Sequence, residues 1–308
     1  MTAAETWRDE AQRIFREGVR LDEPLDRHTS MGVGGPADAL FLPADLAELI
    51  RVVRFLRGKG LSGMPVGNWT NLFATDRGYR GALISLTNLR SIETAVDAAG
   101  QVSIGAEAGA GLGELVDLCR KAGWAGMEFC AGIPGSVGGA VRMNAGAYGG
   151  EIKDIVRSIR LLDADGALQE RAAKQLSFEY RNLSLPEDAI IVEATFGLRK
   201  GDRQKIAAEI TGILANRRGK HPLNMRSAGS VFKNPKGNPA GQLIEDAGLK
   251  GTRIGDAQVS ELHGNFIVNL GHARAADVIA LIDTVRAAVL ERSGIALERE
   301  VKIIGEGS

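Results

Sequence analysis

Residues 128–150 read EFCAGIPGSVGGAVRMNAGAYGG. From Phe129 to Gly150 this stretch holds seven glycines and one charge, Arg142, a composition that core packing alone does not explain. Glycine adopts positive φ without penalty and lets main chain approach a ligand closely, so a dense uncharged run points to backbone wrapped against something bulky. Pro134 stiffens the turn between Ile133 and Gly135. On glycine count alone, a tight set of buried turns with no ligand fits equally well. The rest of the chain has to decide.

At 308 residues and 44% hydrophobic, the chain can bury a sizeable core and is long enough for two or three domains. Its 40 glycines are roughly twice the usual frequency of about 7%, and aromatics are scarce, which favours loops and close backbone contacts over aromatic packing. Thirty-eight basic and thirty-eight acidic residues cancel, and no basic tract is interleaved with aromatics. An electrostatic nucleic-acid footprint is therefore missing. Cys119 and Cys130 form no CxxC pair, which argues against a disulfide framework or a zinc site and predicts two buried thiols. His28, His221, His263 and His272 have no metal-ligand spacing. The N-terminal MTAAETWRDEAQRIFREG places Trp7, Ala11, Ile14 and Phe15 at helical spacing among charges, unlike a secretory signal. No apolar run is long enough to span a bilayer. These features predict a cytoplasmic protein with no membrane contact and no obligate protein partner in evidence.

In chain order, the pattern alternates strand and helix. Asp45 opens a helix with Leu46, Leu49, Val53 and Leu56 on one face, stopped by Gly58 and Gly60. A strand at 65–67 leads into the loop Gly67, Asn68, Trp69, Thr70, Asn71, where backbone N–H groups can meet a diphosphate. Strands follow at 81–86 and 101–109, then a helix at 111–123. IRLLDADGAL at 159–168 carries Asp-Gly inside an apolar alternation, a hairpin signal. A charged helix begins after Gly201 and runs to Lys220. Beyond it we predict a strand at 229–235, a helix at 240–248, a strand at 265–270, a helix at 273–293 and a last strand at 298–305.

Several stretches together resemble one family. HTSMGVGGPAD (28–38), AGIPGSVGGAVRMNAGAYGGEI (131–152), SFEYRN (177–182), AGSVFKNP (228–235), AGQLIEDAGLKG with VSELHGNFIVN (240–251, 259–269) and LEREVKIIG (297–305) are similar, in this order, to the UDP-N-acetylenolpyruvoylglucosamine reductases, or UDP-N-acetylmuramate dehydrogenases. Ordered motifs over most of a chain are far more specific than a lone glycine pattern. The resemblance implies an α+β, vanillyl-alcohol-oxidase-like (PCMH-type) FAD-binding fold of two lobes plus a C-terminal α+β substrate domain. Its divisions would be lobe 1 at 1–86, joined by the strand 301–308, lobe 2 at 87–200, and the substrate domain at 201–300. The length is similar to that of the shorter class, which lacks an extra substrate-domain loop. The activity implied is NADPH-dependent reduction, through non-covalent FAD, of UDP-N-acetylglucosamine enolpyruvate to UDP-N-acetylmuramate for peptidoglycan.

Hydride addition to an enolpyruvyl ether pushes charge toward its carboxylate, so such a site needs a cation and a proton donor. By the resemblance these are Arg181, polarising the carboxylate, Ser230, the proton donor, and Glu300, assisting the developing enolate. A guanidinium meets a carboxylate through two hydrogen bonds and stays charged. Read singly, Arg181 is a surface or capping residue, Ser230 starts a strand, and Glu300 lies on an edge strand. Glu298, two residues earlier, would face the same side of a strand, and Glu300 is preferred because it directly precedes VKIIG.

For FAD the resemblance implies Gly67, Asn68, Thr70, Asn71, Ile133, Pro134, Gly135, Ser136, Gly138, Gly139, Asn144, Gly146, Tyr148 and Arg217. For the substrate it implies Tyr180, Lys220, Lys233 and Asn234. Without the family, Arg217 and Lys220 read as a helix end that compensates the dipole. One departure stands out: Trp69 occupies a place where the family carries glycine. A bulky residue dislikes positive φ, which predicts negative φ with the indole turned outward or over the adenine side, or else weakened FAD binding. Met31-Gly32 also replaces an aromatic and a basic residue. Two other functions stay open: another FAD oxidoreductase of the superfamily acting on a small hydroxy acid or alcohol, and a non-catalytic nucleotide-sugar binder.

Overall fold

The computed structural model describes residues 6–307. The chain divides into two compact units, one of Met1–Leu21, Asp38–Asn68 and Gly81–Ala215, the other of Asp22–Ala37, Trp69–Arg80 and Asn216–Ser308.

The first unit holds two separate hydrophobic clusters. Around one lies a four-stranded sheet in the order Val19–Pro24, Pro36–Phe41, Tyr79–Ser85, Gly63–Val66, the last pair parallel. The helix Leu46–Gly58 starts where the Asp45 carboxylate accepts from the Glu48 N–H at 2.8 Å, and it buries Leu49, Val52, Val53 and Leu56. That spacing of three and four residues is one face of a 3.6-residue period, as the sequence predicts. The helix Trp7–Phe15 adds Phe15, whose ring meets Phe41 edge-on at 5.3 Å and Phe55 at 5.4 Å.

The second cluster fills a larger sheet, ordered Leu168–Ala172, Val156–Leu162, Ile190–Lys200, Gln101–Glu107, Ile92–Val96 and antiparallel throughout. The Asp-Gly signal at 165–166 is the turn of its outer hairpin, where Gly166 takes φ 70°. The central strand Ile190–Lys200 alternates its burial and shares its core cluster with the helix Leu112–Ala122, which ends on left-handed Gly123. Fully burying a side chain such as Phe196 contributes ~1.5–3 kcal/mol. Cys119 and Cys130 are both free and buried here. Burial pushes the Cys119 thiol up to about 12 and the Cys130 thiol higher still.

The second unit is built on the antiparallel sheet Arg226–Ser230, Phe266–Asn269, Ala257–Val259, Arg253–Ile254, packed by the helices Ala240–Asp246 and Ala275–Ser293. Lys302–Ile304 pairs in parallel with Leu72–Ala74. Two predicted strands are shorter than expected. The strand at 229–235 stops at Ser230, because beyond it the backbone bonds elsewhere: Val231 N–H donates to Asn265 O, and Phe232 N–H to the Asn265 side chain, both at 2.9 Å. In 298–305 only Lys302–Ile304 is strand, with Arg299 a single bridge to Phe232.

Candidate active site

In the first unit the glycine-rich stretch is a chain of turns against a strand end. Gly132, Gly135 and Gly149 take positive φ, and the helix Val137–Arg142 docks by Val137 N–H donating to Ala110 O and Gly138 N–H to Ala108 O. A Cβ on Gly138 would stand 2.8 Å from that of Ala108, so this contact requires glycine. Ser136 is 2% exposed, and its Oγ has no hydrogen-bond partner. A Cβ on Gly67 would lie 2.3 Å from that Oγ. A buried hydroxyl without a partner carries a desolvation cost of about 1–3 kcal/mol, and an acceptor such as a phosphate oxygen would remove it. Ile133, Gly135 and Gly146 are half-buried nearby in sequence, whereas Pro134, Gly139 and Tyr148 are exposed. Arg142, the lone charge of the stretch, also has a buried Nη1 without a hydrogen-bond partner, and burial lowers its pKa.

Two non-glycine residues of this unit take left-handed backbone beside the glycines: Asn144 at φ 43° and Tyr148 at φ 52°. Asn144 is fully buried and its carboxamide is engaged by protein groups, which sequence reading did not show. SFEYRN forms a tight hairpin, Ser177–Glu179 against Asn182–Ser184, with Tyr180 and Arg181 as its turn. Arg181 sits at φ 58°, half-buried, with its guanidinium carbon 5.2 Å from the centre of the exposed Tyr180 ring.

In the second unit Ser230 and Glu300, the other two residues expected in the reaction, lie on adjoining segments. Glu300 N–H donates to Val231 O at 2.8 Å, and Lys233 N–H to Glu298 O at 2.9 Å, so the residues around Ser230 run alongside 298–300. Glu298 and Glu300 part company here. Glu298 is a surface carboxylate, its side chain 71% exposed and paired with Lys233 Nζ at 2.5 Å. Glu300 is half-buried, and its carbonyl accepts from Asn71 Nδ2 at 3.1 Å. Asn234 Oδ1 accepts from Ala240 N–H at 2.9 Å and so caps a helix. Arg217 is half-buried and Lys220 exposed in the last turn of the helix Arg203–Lys220.

Trp69 departs from expectation. It takes φ 54° and is 5% exposed, neither negative in φ nor turned outward. Its ring lies 5.5 Å from His28, whose Nε2 is 2.8 Å from Glu23 Oε1, and its carbonyl accepts from Ser30 N–H at 3.1 Å. Packing on the indole and a carbonyl bond hold the residue in the conformation glycine would adopt. Among the described residues, no group of three or more His, Cys, Asp or Glu is placed to hold a metal ion, and no helix is long and apolar enough to cross a membrane.

Residues 37–171 match the FAD binding domain family, and residues 221–304 match the C-terminal domain of UDP-N-acetylenolpyruvoylglucosamine reductase. The chain is 56% identical over 288 residues to the UDP-N-acetylenolpyruvoylglucosamine reductase of Syntrophus aciditrophicus, spanning 94% of this chain and 92% of that protein. The chain belongs to the UDP-N-acetylenolpyruvoylglucosamine reductase family. The family's enzyme from Heliobacterium modesticaldum is 46% identical over 96% of this chain and 93% of its own length. The crystal structure of the reductase from Thermus caldophilus is similar with a TM-score of 0.77, at 36% identity over 93% of this chain and 98% of that one. As a member of the family, the chain is an FAD-dependent oxidoreductase, with the vanillyl-alcohol-oxidase-like FAD-binding fold and the family's C-terminal domain. The unpartnered Ser136 hydroxyl and the bare Cα of Gly67 fit the diphosphate of that cofactor.

Proposed function

We propose that Arg181, Ser230 and Glu300 carry the family's reaction in this chain, the reduction of UDP-N-acetylglucosamine enolpyruvate to UDP-N-acetylmuramate. When bound, FAD supplies the hydride, which it takes from NADPH. Gly67, Ser136 and the turns from Ile133 to Gly139 hold its diphosphate. The two hydrophobic clusters of the first unit support a lobe each for the cofactor.

Arg181 grips the enolpyruvyl carboxylate, and a fixed bidentate cation is worth most where charge develops. Ser230 Oγ–H gives its proton to the carbon next to that carboxylate. A carbanion there is a strong base, so a positioned hydroxyl suffices as the acid. Glu300, in its protonated form, donates a hydrogen bond to the enolate oxygen as it forms. Tyr180, Lys220, Lys233 and Asn234 bind the nucleotide sugar, and Arg217 meets the cofactor. The free cysteines suit a reducing compartment, and we place the enzyme in the cytoplasm.

The observation that carries this reading is the pairing of the Ser230 and Glu300 segments, through Glu300 N–H to Val231 O at 2.8 Å, with Glu298 turned to solvent. Ser230→Ala tests it by anaerobic half-reactions. NADPH bleaches the flavin of the variant at close to the normal rate, while reoxidation by the enolpyruvyl sugar falls ~100-fold or more. Reoxidation at the normal rate would remove Ser230 from the mechanism.

A further inference from the structure

The polar centre of the first unit is the Asn144 carboxamide. Its Nδ2 donates to Glu151 Oε2 and to the Glu179 carbonyl, both at 3.0 Å, and its Oδ1 accepts from Lys153 N–H at 3.0 Å. Three segments therefore meet on one side chain: the turn after Val137–Arg142, the start of the helix Ile152–Ile155, and the last residue before the Tyr180–Arg181 turn. Both donor hydrogens are in use, and no solvent reaches the residue.

The hairpin that presents Arg181 has three residue pairs, and a hairpin that small does not hold its own geometry in water. Arg181 and Asn144 both occupy left-handed backbone, which persists in non-glycine residues only where surrounding bonds over-determine it. The bond to Glu179 O supplies that constraint one residue from the turn. Asn144 also steadies Glu151, whose carboxylate pairs with Lys153 Nζ at 2.5 Å. Glu151 is held below the usual carboxylate range by Lys153 first, with the Asn144 hydrogen bond also lowering it.

We propose that Asn144 is a positioning residue for the reduction, fixing the Tyr180–Arg181 turn through the Glu179 carbonyl. The inference rests on Arg181 as the group that grips the substrate carboxylate. It assigns to the Asn144 side chain a role toward Arg181, apart from any contact its backbone makes with the cofactor.

The test uses the FAD-loaded enzyme and the Kd of the enolpyruvyl UDP-sugar, read without turnover from the change in absorbance of the oxidised flavin. Asn144→Asp keeps size and the acceptor for Lys153 N–H but loses both donations. The Kd is expected to rise tenfold or more in Asn144→Asp and in Arg181→Ala, and the double variant to bind no worse than Arg181→Ala alone. Asn144→Ser, too short to reach the Glu179 carbonyl, is the second arm should Asn144→Asp not fold, with a Kd raised in the same direction. Losses that add in the double variant, or a normal Kd in Asn144→Asp and Asn144→Ser, overturn the proposal while leaving Arg181 in place. A normal Kd in Arg181→Ala overturns the reading of Arg181 and the proposal with it.

Discussion

Asn71 donates its side-chain amide to the carbonyl of Glu300 at 3.1 Å, while its own carbonyl accepts from Lys302 N–H at 3.0 Å. The last residue of the 67–71 loop is thus fastened on both sides to the segment that carries Glu300. Asn71→Ala removes the side-chain bond and leaves a half-buried carbonyl to water, a loss of about 1 kcal/mol. The urea midpoint is expected to fall accordingly, and reoxidation by the enolpyruvyl sugar to slow. An unchanged midpoint with unchanged reoxidation would show that the bond does nothing for Glu300.

Ser136 allows the cofactor and the fold to be separated. Its hydroxyl is buried without a partner, so Ser136→Ala is expected to leave the apoprotein as stable as before or slightly more so. On the proposed reading the same change removes a donor to a phosphate oxygen, and FAD affinity should weaken by ~1.5–3 kcal/mol, about tenfold to a hundredfold. Flavin fluorescence titration against apoprotein unfolding checks both halves. Equal losses in each would mean that Ser136 serves the fold alone.

At Trp69 two effects oppose one another. Left-handed backbone costs a non-glycine residue roughly 1–2 kcal/mol, which Trp69→Gly would recover. Losing a buried indole costs roughly 3–5 kcal/mol. Packing is the larger, so the variant is expected to be less stable by about 2 kcal/mol in denaturant unfolding, although it restores the family's residue. A gain in stability would mean that the contact with His28 contributes little.

His221 supplies a pH dependence. Its ring lies 5.0 Å from that of Phe266 and 5.4 Å from that of His263, and its Nδ1 is buried without a hydrogen-bond partner. Burial first, then the charges of Arg217, His263 and Lys220, bring its pKa down to about 4. An unfolded histidine titrates at about 6.5, so between these values the unfolded chain binds more protons. The stabilisation is complete above the upper value and is lost as pH falls toward the lower. Unfolding midpoints should drop between pH 7 and pH 5 in the parent and drop less in His221→Gln. Identical slopes would place the dependence on other groups, His263 first, whose pKa burial also lowers.

Local features were legible in the residues because they depend on near neighbours along the chain. The Asp45 cap and the spacing of Leu49, Val53 and Leu56 specify a helix face wherever the core lies. Asp165-Gly166 specifies a turn for the same reason. Val231 and Phe232 misled, since an apolar pair after a strand looks like more strand. They are buried all the same, with their backbone bonded to Asn265 and to the 298–300 segment, which no local pattern encodes. Trp69 misled because intrinsic preference disfavours its φ, and the groups that override that preference, His28 and Ser30, lie about forty residues away.

The sequence by itself determined the helix and strand periods, which are a matter of residue spacing, and its ordered motifs carry the resemblance to the family and, with it, the types of residue the chemistry needs. Tertiary structure alone decided that Glu298 is a surface partner of Lys233 while Glu300 is half-buried, that Ser136 is left without a partner, and that Asn144 bonds across to Glu179. The physical reason is common to all three: burial and hydrogen-bond partnership are settled by groups far apart in the chain, and neither exists until the chain has folded.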